Sequence, residues 1–310
     1  MATREKIILG SRGSELARAQ TQMVVERLRA QWPLLEIDTR VIKTVGDAPQ
    51  NAVVDRKAGR KGLFTGEIER ALIASEIDIG VHSAKDLPSE LAPGTEVSAV
   101  LPRAPVDDVI ISKADFNLQS QPQSGVVATG SVRRKHQLRW QRSDLTVVEL
   151  RGNVPTRLQK LIHEKWDAIV LARAGLERLG INCGNDKFTF AGADFCCQLL
   201  PLDLFLPAGG QGVIAVQTRS EDHASTKFVE PINDMDTQLC LRAEREFLRL
   251  LNADCDQPVG VLATLSKSAM KVRAQIFDAE DGSPRVAVVD GPADNPEKLA
   301  SRLFDEISMG

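Results

Sequence analysis

No run of this chain approaches the roughly 20 consecutive apolar residues that a membrane-spanning helix needs. The N-terminus, Met-Ala-Thr-Arg-Glu-Lys, lacks the apolar segment of a secretory signal, so a cytoplasmic protein is expected. No Cys-x-x-Cys pair occurs: the five cysteines stand at 183, 196, 197, 240 and 255, and four histidines are scattered. No zinc-ligand spacing results, and no metal is expected. An odd cysteine count without a secretion signal argues for reduced thiols. Basic charge is not in excess, since 39 Lys and Arg face 42 Asp and Glu for a net charge of -3. A dedicated nucleic-acid binder usually carries the opposite balance. Tyrosine is absent, which bears on no mechanism. What is present is ordinary: 43% hydrophobic and 26% charged residues over 310 positions describe a globular chain of two or three domains. No long exposed apolar seam suggests a partner subunit, so a monomer is expected.

The stretch around which the rest is organised is Val81-His82-Ser83-Ala84-Lys85-Asp86-Leu87-Pro88. Residues 77–80, Ile-Asp-Ile-Gly, read as a buried strand, and Pro88 forbids its continuation in a sheet centre. The chain thus leaves a strand and at once presents His82, Ser83, Lys85 and Asp86. Ligands of open α/β sheets bind just beyond the carboxyl ends of strands. A lone aspartate there is usually a turn residue or a helix cap. Its context matters because other segments repeat the pattern.

Residues 6–10 read as a strand, followed by Ser11-Arg12-Gly13-Ser14 and a helix to about residue 32, with Ser14 as its N-cap. Residues 36–43 alternate as a strand. Residues 51–60 form a polar loop expected to cover the cleft and move. Lys61-Gly62 resembles the end of a P-loop, but the upstream glycine spacing is missing, which rejects nucleotide binding there. A helix over 66–75 and a strand over 96–101 follow, then a crossover or hinge at 102–105. Strands are read at 108–112, 125–129, 146–150 and 167–172. The last three run into Gly130-Ser131-Val132-Arg133-Arg134, Arg151-Gly152-Asn153-Val154-Pro155-Thr156-Arg157 and Gly175-Leu176-Glu177-Arg178.

Three strand-to-helix junctions therefore carry arginine, and with Arg12 they should line one edge of a parallel sheet. Arginine suits bidentate contact with carboxylate or phosphate, and free N–H groups at helix N-termini attract anions. A cleft for a polyanionic ligand is the inference. Residues 181–204 look irregular. The Gly-rich turn at 206–212, around Gln211, permits close backbone approach to a ligand. Residues 213–217 read as a strand returning to the first sheet.

A helix over 234–251 with a charged outer face, alternating strands at 259–265, 271–277 and 285–289, and a helix over 295–308 make a separate α+β unit with an antiparallel three-stranded sheet. Cys255 sits in the tight turn after its first helix. Asp254 and Asp256 should raise its thiol pKa, so it is not a typical activated nucleophile, although a covalent attachment point is chemically possible. The expected domains are 1–102 with 212–231, then 103–211, then 232–310.

Over roughly residues 7–262 the chain resembles the porphobilinogen deaminase (hydroxymethylbilane synthase) family. The segments that carry the resemblance are Ser-Arg-Gly-Ser at 11–14, Thr-Val-Gly-Asp at 44–47, Lys-Gly-Leu-Phe at 61–64 and His-Ser-Ala-Lys-Asp-Leu-Pro at 82–88. Further on stand Gly-Ser-Val-Arg-Arg at 130–134, Arg-Gly-Asn-Val-Pro-Thr-Arg at 151–157 and Ala-Gly-Leu-Glu-Arg-Leu-Gly at 174–180. Leu-Pro-Ala-Gly-Gly-Gln-Gly at 206–212 and Cys-Asp-Gln-Pro-Val-Gly at 255–260 complete them. Singly these are weak, but nine in family order are specific.

The resemblance implies an α/β fold of two domains like those of bacterial solute-binding proteins plus the small C-terminal α+β domain. It implies a transferase of tetrapyrrole (heme and chlorophyll) biosynthesis that joins four porphobilinogen units head to tail, releasing ammonia. It also implies a dipyrromethane cofactor, thioether-linked to Cys255 and kept as a primer. Asp86 matches the family's catalytic carboxylate. Arg12, Arg133, Arg134, Arg151, Arg157 and Arg178 match its carboxylate-binding arginines, with Lys85 as the neighbouring lysine. Ser14, Ser83, Thr129, Ser131, Gln20, Gln211 and Lys61 match positions around cofactor or substrate, and Phe64 an aromatic that packs near the substrate pyrrole. One departure is that Ala253 and Asp254 stand where two glycines commonly precede the cysteine. A two-lobed polycarboxylate-binding protein without catalysis would use similar arginines. The absent signal, the Asp86 loop and the unit bearing Cys255 argue against it.

Overall fold

The structure, a computed structural model, describes residues 5–44, 65–114, 117–183, 187–253, 257–279 and 282–309. The chain enters as β1 (Lys6–Ser11), α1 (Glu15–Gln31), β2 (Glu36–Val41), α2 (Gly66–Ile73), β3 (Ile79–Ser83) and β4 (Thr95–Val100). It crosses into β5 (Asp108–Ser112), β6 (Val126–Thr129), α3 (Val132–Gln141), β7 (Thr146–Glu149), α4 (Val154–His163), β8 (Ala168–Ala172), α5 (Arg173–Glu177), β9 (Lys187–Phe190) and β10 (Ala193–Leu199). It returns as β11 (Ile214–Arg219) and α6 (His223–Val229), and closes with α7 (Met235–Leu250), β12 (Val259–Ser266), β13 (Ala269–Ile276), β14 (Arg285–Pro292) and α8 (Pro296–Met309).

The strands form three sheets, ordered β2-β1-β3-β11-β4, β7-β6-β8-β5-β10-β9 and β12-β13-β14. The third is antiparallel throughout, as its alternating sequence predicts. The first two share a layout in which three parallel strands are followed by an antiparallel one. The expectation of a parallel sheet is therefore corrected to a mixed one. The antiparallel strands, β5 and β11, are those the chain enters directly from the other sheet. Each arrives without the crossover helix that a parallel neighbour requires.

A second correction concerns 181–204. Residues 187–199 form a hairpin, with Phe190 opposite Ala193. Its turn is Ala191-Gly192, at φ 51° and 79°. Two positive-φ residues match the right-handed twist of the flanking strands, but alanine seldom takes that position and conceals the hairpin.

Helices pack where apolar residues recur on one face. In α1 these are Val24, Val25 and Leu28, which meet Ile7, Leu9, Ile79, Val81 and Ile214. Leu28 is fully buried, so truncation to alanine would cost about 2–5 kcal/mol. In the C-terminal unit, Phe247 of α7 and Leu299 and Leu303 of α8 cover one face of the third sheet.

The two crossings between the sheets, residues 101–107 and 200–213, run together. The Ala104 N–H donates to the Gly212 carbonyl at 3.1 Å, and the Leu101 N–H to that of Ile214 at 3.1 Å. Gly212 has φ +85°, and a Cβ there would lie 2.4 Å from the Ala104 oxygen. At Gly210, φ +73°, a Cβ would lie 3.0 Å from backbone atoms of Ala84 and Lys85. In this turn Gly210 and Gly212 admit the close approach of the protein's own backbone. Buried Glu244 of α7 binds both crossings. It accepts from the Arg103 guanidinium at 2.6 and 3.1 Å, from the Gly210 N–H at 2.7 Å and from the Ala263 N–H at 2.8 Å.

Candidate active site

Beyond β3 the chain forms one short 3-10 turn, Ala84–Asp86, fixed by the Ala84 N–H donating to the Val213 carbonyl at 3.0 Å. That turn holds Lys85 and Asp86, both half-buried, at the carboxyl end of the strand. Arg12, Ser14, Gln20, Ser83 and Asp86 line one small cleft beside it. Gln20, buried on α1, donates to the Ser83 hydroxyl at 2.8 Å. Ser14 caps α1, its Oγ accepting from the Ala17 N–H at 3.2 Å. Ser131 caps α3 in the same manner, and Thr129 Oγ1 accepts from the Ser131 N–H at 3.3 Å. Asn153 caps α4, where a proline occupies the first turn.

Arg133 and Arg134, at the start of α3, are buried rather than solvated. Between them lies Asp108, fully buried at the head of β5, 2.8 Å from Arg133 Nη1 and 2.7 Å from Arg134 Nη2. Burial pushes the Asp108 carboxyl upward, but the two arginines more than reverse this and hold it well below the ordinary carboxylate range. Arg133 also donates to Gln137 and to the Leu206 carbonyl, each at 2.8 Å, and Arg134 to the Val170 carbonyl at 3.1 Å. Gln211 joins the group, its Nε2 donating to Asp108 at 2.8 Å and to the Val106 carbonyl at 2.6 Å. Sequence reasoning missed Asp108. The one signal was the acidic pair Asp107-Asp108 opening an otherwise apolar strand.

Burial, aided by repulsion from Arg134, lowers the Lys85 pKa to about 8, while Asp86 and Asp108 oppose the shift. Burial likewise lowers Arg157 to about 10, again with Arg134 adding to it and Asp86 and Glu149 opposing. Arg157 Nε donates to the Gly152 carbonyl at 2.7 Å. Arg178 falls to about 10 through burial, and its Nη2 donates to the Gly212 carbonyl at 2.6 Å. The Nε groups of Arg133, Arg134 and Arg178 are buried without a hydrogen-bond partner. Arg151 is exposed and paired with Glu149 at 3.0 Å. The β3, β6 and β7 ends thus bring Lys85, Asp86, Arg133, Arg134 and Arg157 into one electrostatic neighbourhood. Such a group can hold carboxylates and set an acid–base carboxylate among cations. Lys61, Phe64, Cys255 and the loop at 51–60 lie outside the described residues.

Two family models match the chain. Porphobilinogen deaminase, dipyromethane cofactor binding domain, covers residues 7–227, and porphobilinogen deaminase, C-terminal domain, covers residues 238–308. The porphobilinogen deaminase of Roseiflexus sp. (strain RS-1) is 40% identical over 308 residues, 98% of this chain and 96% of that one. The porphobilinogen deaminase of Syntrophomonas wolfei is 42% identical over 268 residues, 86% of this chain and 84% of that one. Among solved structures, the methionine binding protein MetQ aligns at a TM-score of 0.45 and 12% identity, covering 76% of this chain and 93% of that one.

Proposed function

This chain belongs to the porphobilinogen deaminase family, and on that premise we propose that Asp86 is its catalytic carboxylate. The reaction is a transfer in which four porphobilinogen units are joined head to tail, with release of ammonia, to give hydroxymethylbilane. Each unit carries an acetate and a propionate, so substrate and product are polyanions. Loss of ammonia leaves a cationic azafulvene. Asp86 stabilises that cation and accepts the proton lost from the attacked pyrrole. The observation that carries this reading is the juxtaposition of Lys85, Asp86 and Arg157 with the Asp108-held arginine pair.

The residues fit a dipyrromethane group. Buried Nε donors on Arg133, Arg134 and Arg178 lack a protein partner, and carboxylates of such a group would satisfy them. When bound, this group supplies the terminal pyrrole carbon to which the first substrate unit is joined. In our reading Arg12, Arg133, Arg134, Arg151, Arg157, Arg178 and Lys85 take the carboxylates of cofactor and substrate, and Lys61 and Phe64 complete the site. Ser14, Ser83, Thr129, Ser131, Gln20 and Gln211 add hydrogen bonds; a capping hydroxyl retains its own O–H to donate. Cys255 is the attachment point, an assignment that rests on sequence.

The domain boundaries stay as read, at 1–102 with 212–231, 103–211 and 232–310, which the membership of the three sheets supports. We read the protein as a cytoplasmic monomer. Among the described residues no helix is long and apolar enough to cross a membrane.

Two measurements test this function. The intact mass should exceed the sequence mass by two pyrrole units, and Cys255→Ala should abolish the increment. Asp86→Asn should lower turnover by about 10²–10⁴-fold while leaving carboxylate binding in place. Turnover close to wild type would remove Asp86 from catalysis. An unmodified protein that released no ammonia from porphobilinogen would restore the polycarboxylate-binding reading.

A further inference from the structure

Arg245 lies on α7, one residue past Glu244, in the unit that leads to Cys255. Its guanidinium reaches outside that unit. Nη2 donates to the Pro88 carbonyl at 2.9 Å and to the Ser89 carbonyl at 3.1 Å. These are consecutive main-chain acceptors directly behind the Lys85–Asp86 turn. The same segment is gripped at its other end by Glu69 of α2, whose carboxylate accepts from the Ala92 N–H at 3.2 Å and from Gln217 Nε2 at 3.0 Å. Burial lowers the Arg245 pKa and the Glu69 charge works against that shift, so the two charges compensate one another beneath the loop. At its front end the turn is held by the Val213 carbonyl and abuts Gly210.

Residues 84–92 are thus fixed by three separate elements, and only one of them comes from the C-terminal unit. One guanidinium nitrogen bonded to two successive carbonyls fixes the backbone at that point, and the planar group on which it sits loses less freedom in doing so than a lysine ammonium. We propose that Arg245 is a positioning residue for Asp86. It makes the placement of the Asp86 carboxylate depend on the docking of α7. The proposal rests on the reading of Asp86 as the catalytic carboxylate. Arg245 lies behind the loop, so its loss displaces the carboxylate while the carboxylate-binding arginines of α3 and α4 keep their own supports.

The test uses the primer-loaded enzyme, its loading verified by intact mass, as wild type, Arg245→Met, Arg245→Lys and Asp86→Asn. A displacement of about 1 Å costs on the order of 10²-fold in rate, so Arg245→Met should lower kcat by about 10–100-fold. KM for porphobilinogen should stay within about threefold, since ground-state binding is untouched. Arg245→Lys should recover part of the loss, and it carries the test if the methionine variant does not fold. Amide hydrogen exchange should quicken at 84–92 and stay unchanged in α1 and β12. Unchanged kcat, unchanged exchange at 84–92, or faster exchange across the whole chain would each overturn the positioning role. If Asp86→Asn turns over normally, the reading of Asp86 fails. If Asp86→Asn is inactive and Arg245→Met is not impaired, only the positioning proposal fails.

Discussion

Asp108→Asn keeps the shape of a fully buried side chain and removes its charge. In the wild type that carboxylate stands 2.8 Å from Arg133 and 2.7 Å from Arg134. Two unit charges about 4 Å apart attract by about 4 kcal/mol at an effective dielectric of about 20. Desolvation offsets part of that gain, but removing one partner leaves the other buried and uncompensated, which costs about 3–5 kcal/mol. At roughly 2–4 °C per kcal/mol for a chain of this order of size, the midpoint of thermal unfolding should fall by about 10 °C. The pH dependence has a definite sign. The folded pKa of Asp108 is depressed, so its stabilisation is complete above the unfolded value of about 3.9 and is lost as pH falls through the folded one. The gap between wild type and Asp108→Asn, followed by circular dichroism, should therefore be flat from about pH 8 to pH 5 and close only below about pH 4. A gap of less than about 2 °C at neutral pH, or one that widens on acidification, would refute the reasoning.

Lys85 is a depressed lysine: its pKa is about 8 against an ordinary 10.5, so its penalty is absent above the unfolded value and complete below the folded one. In a Cys255→Ala background, Lys85→Met should raise the unfolding midpoint at pH 7, and the advantage should vanish by about pH 10.5. A gain that persists there would contradict the depressed pKa. Gly212→Ala adds both strain at φ +85° and a contact of 2.4 Å, whereas Gly94→Ala adds strain at φ +83° with nothing nearby. Urea unfolding should show about 1–2 kcal/mol lost at Gly94 and clearly more at Gly212; equal losses would mean that the crossings do not need their close approach.

The strand-to-helix junctions were legible because local chemistry decides them. An apolar run ends, a serine or asparagine caps, and arginine or Asp86 sits between. The return of β11 to the first sheet followed from a short apolar run after a Gly-rich turn. The hairpin at 187–199 stayed hidden because Ala191 occupies a backbone position that sequence reasoning reserves for glycine. Asp108 was illegible for another reason. One carboxylate heading a buried strand looks the same whether it meets water or two arginines, and only the reach of Arg133 and Arg134 from α3 to the head of β5 decides. The same holds for Arg245, which reads in sequence as part of the charged outer face of α7.

Glu244 and Arg245, adjacent on one helix, divide the support of the site between them. Among the described residues the chain passes between the first two sheets at 101–107 and 200–213. Glu244 binds Arg103 on the first crossing and Gly210 on the second. Asp108 and Gln211, one on each crossing side, are joined at 2.8 Å and hold the arginine pair. Rotation of one sheet against the other would break these buried charged contacts if it bent the crossings at their centre. Bending at the outer ends of the crossings leaves them intact. Arg103, Asp108, Gln211 and Glu244 therefore form one body, on which the second sheet's arginines and the Asp86 loop are mounted from opposite sides. Arg157 on α4 feels the Asp86 charge, while the arginine pair is held by Asp108 within this body.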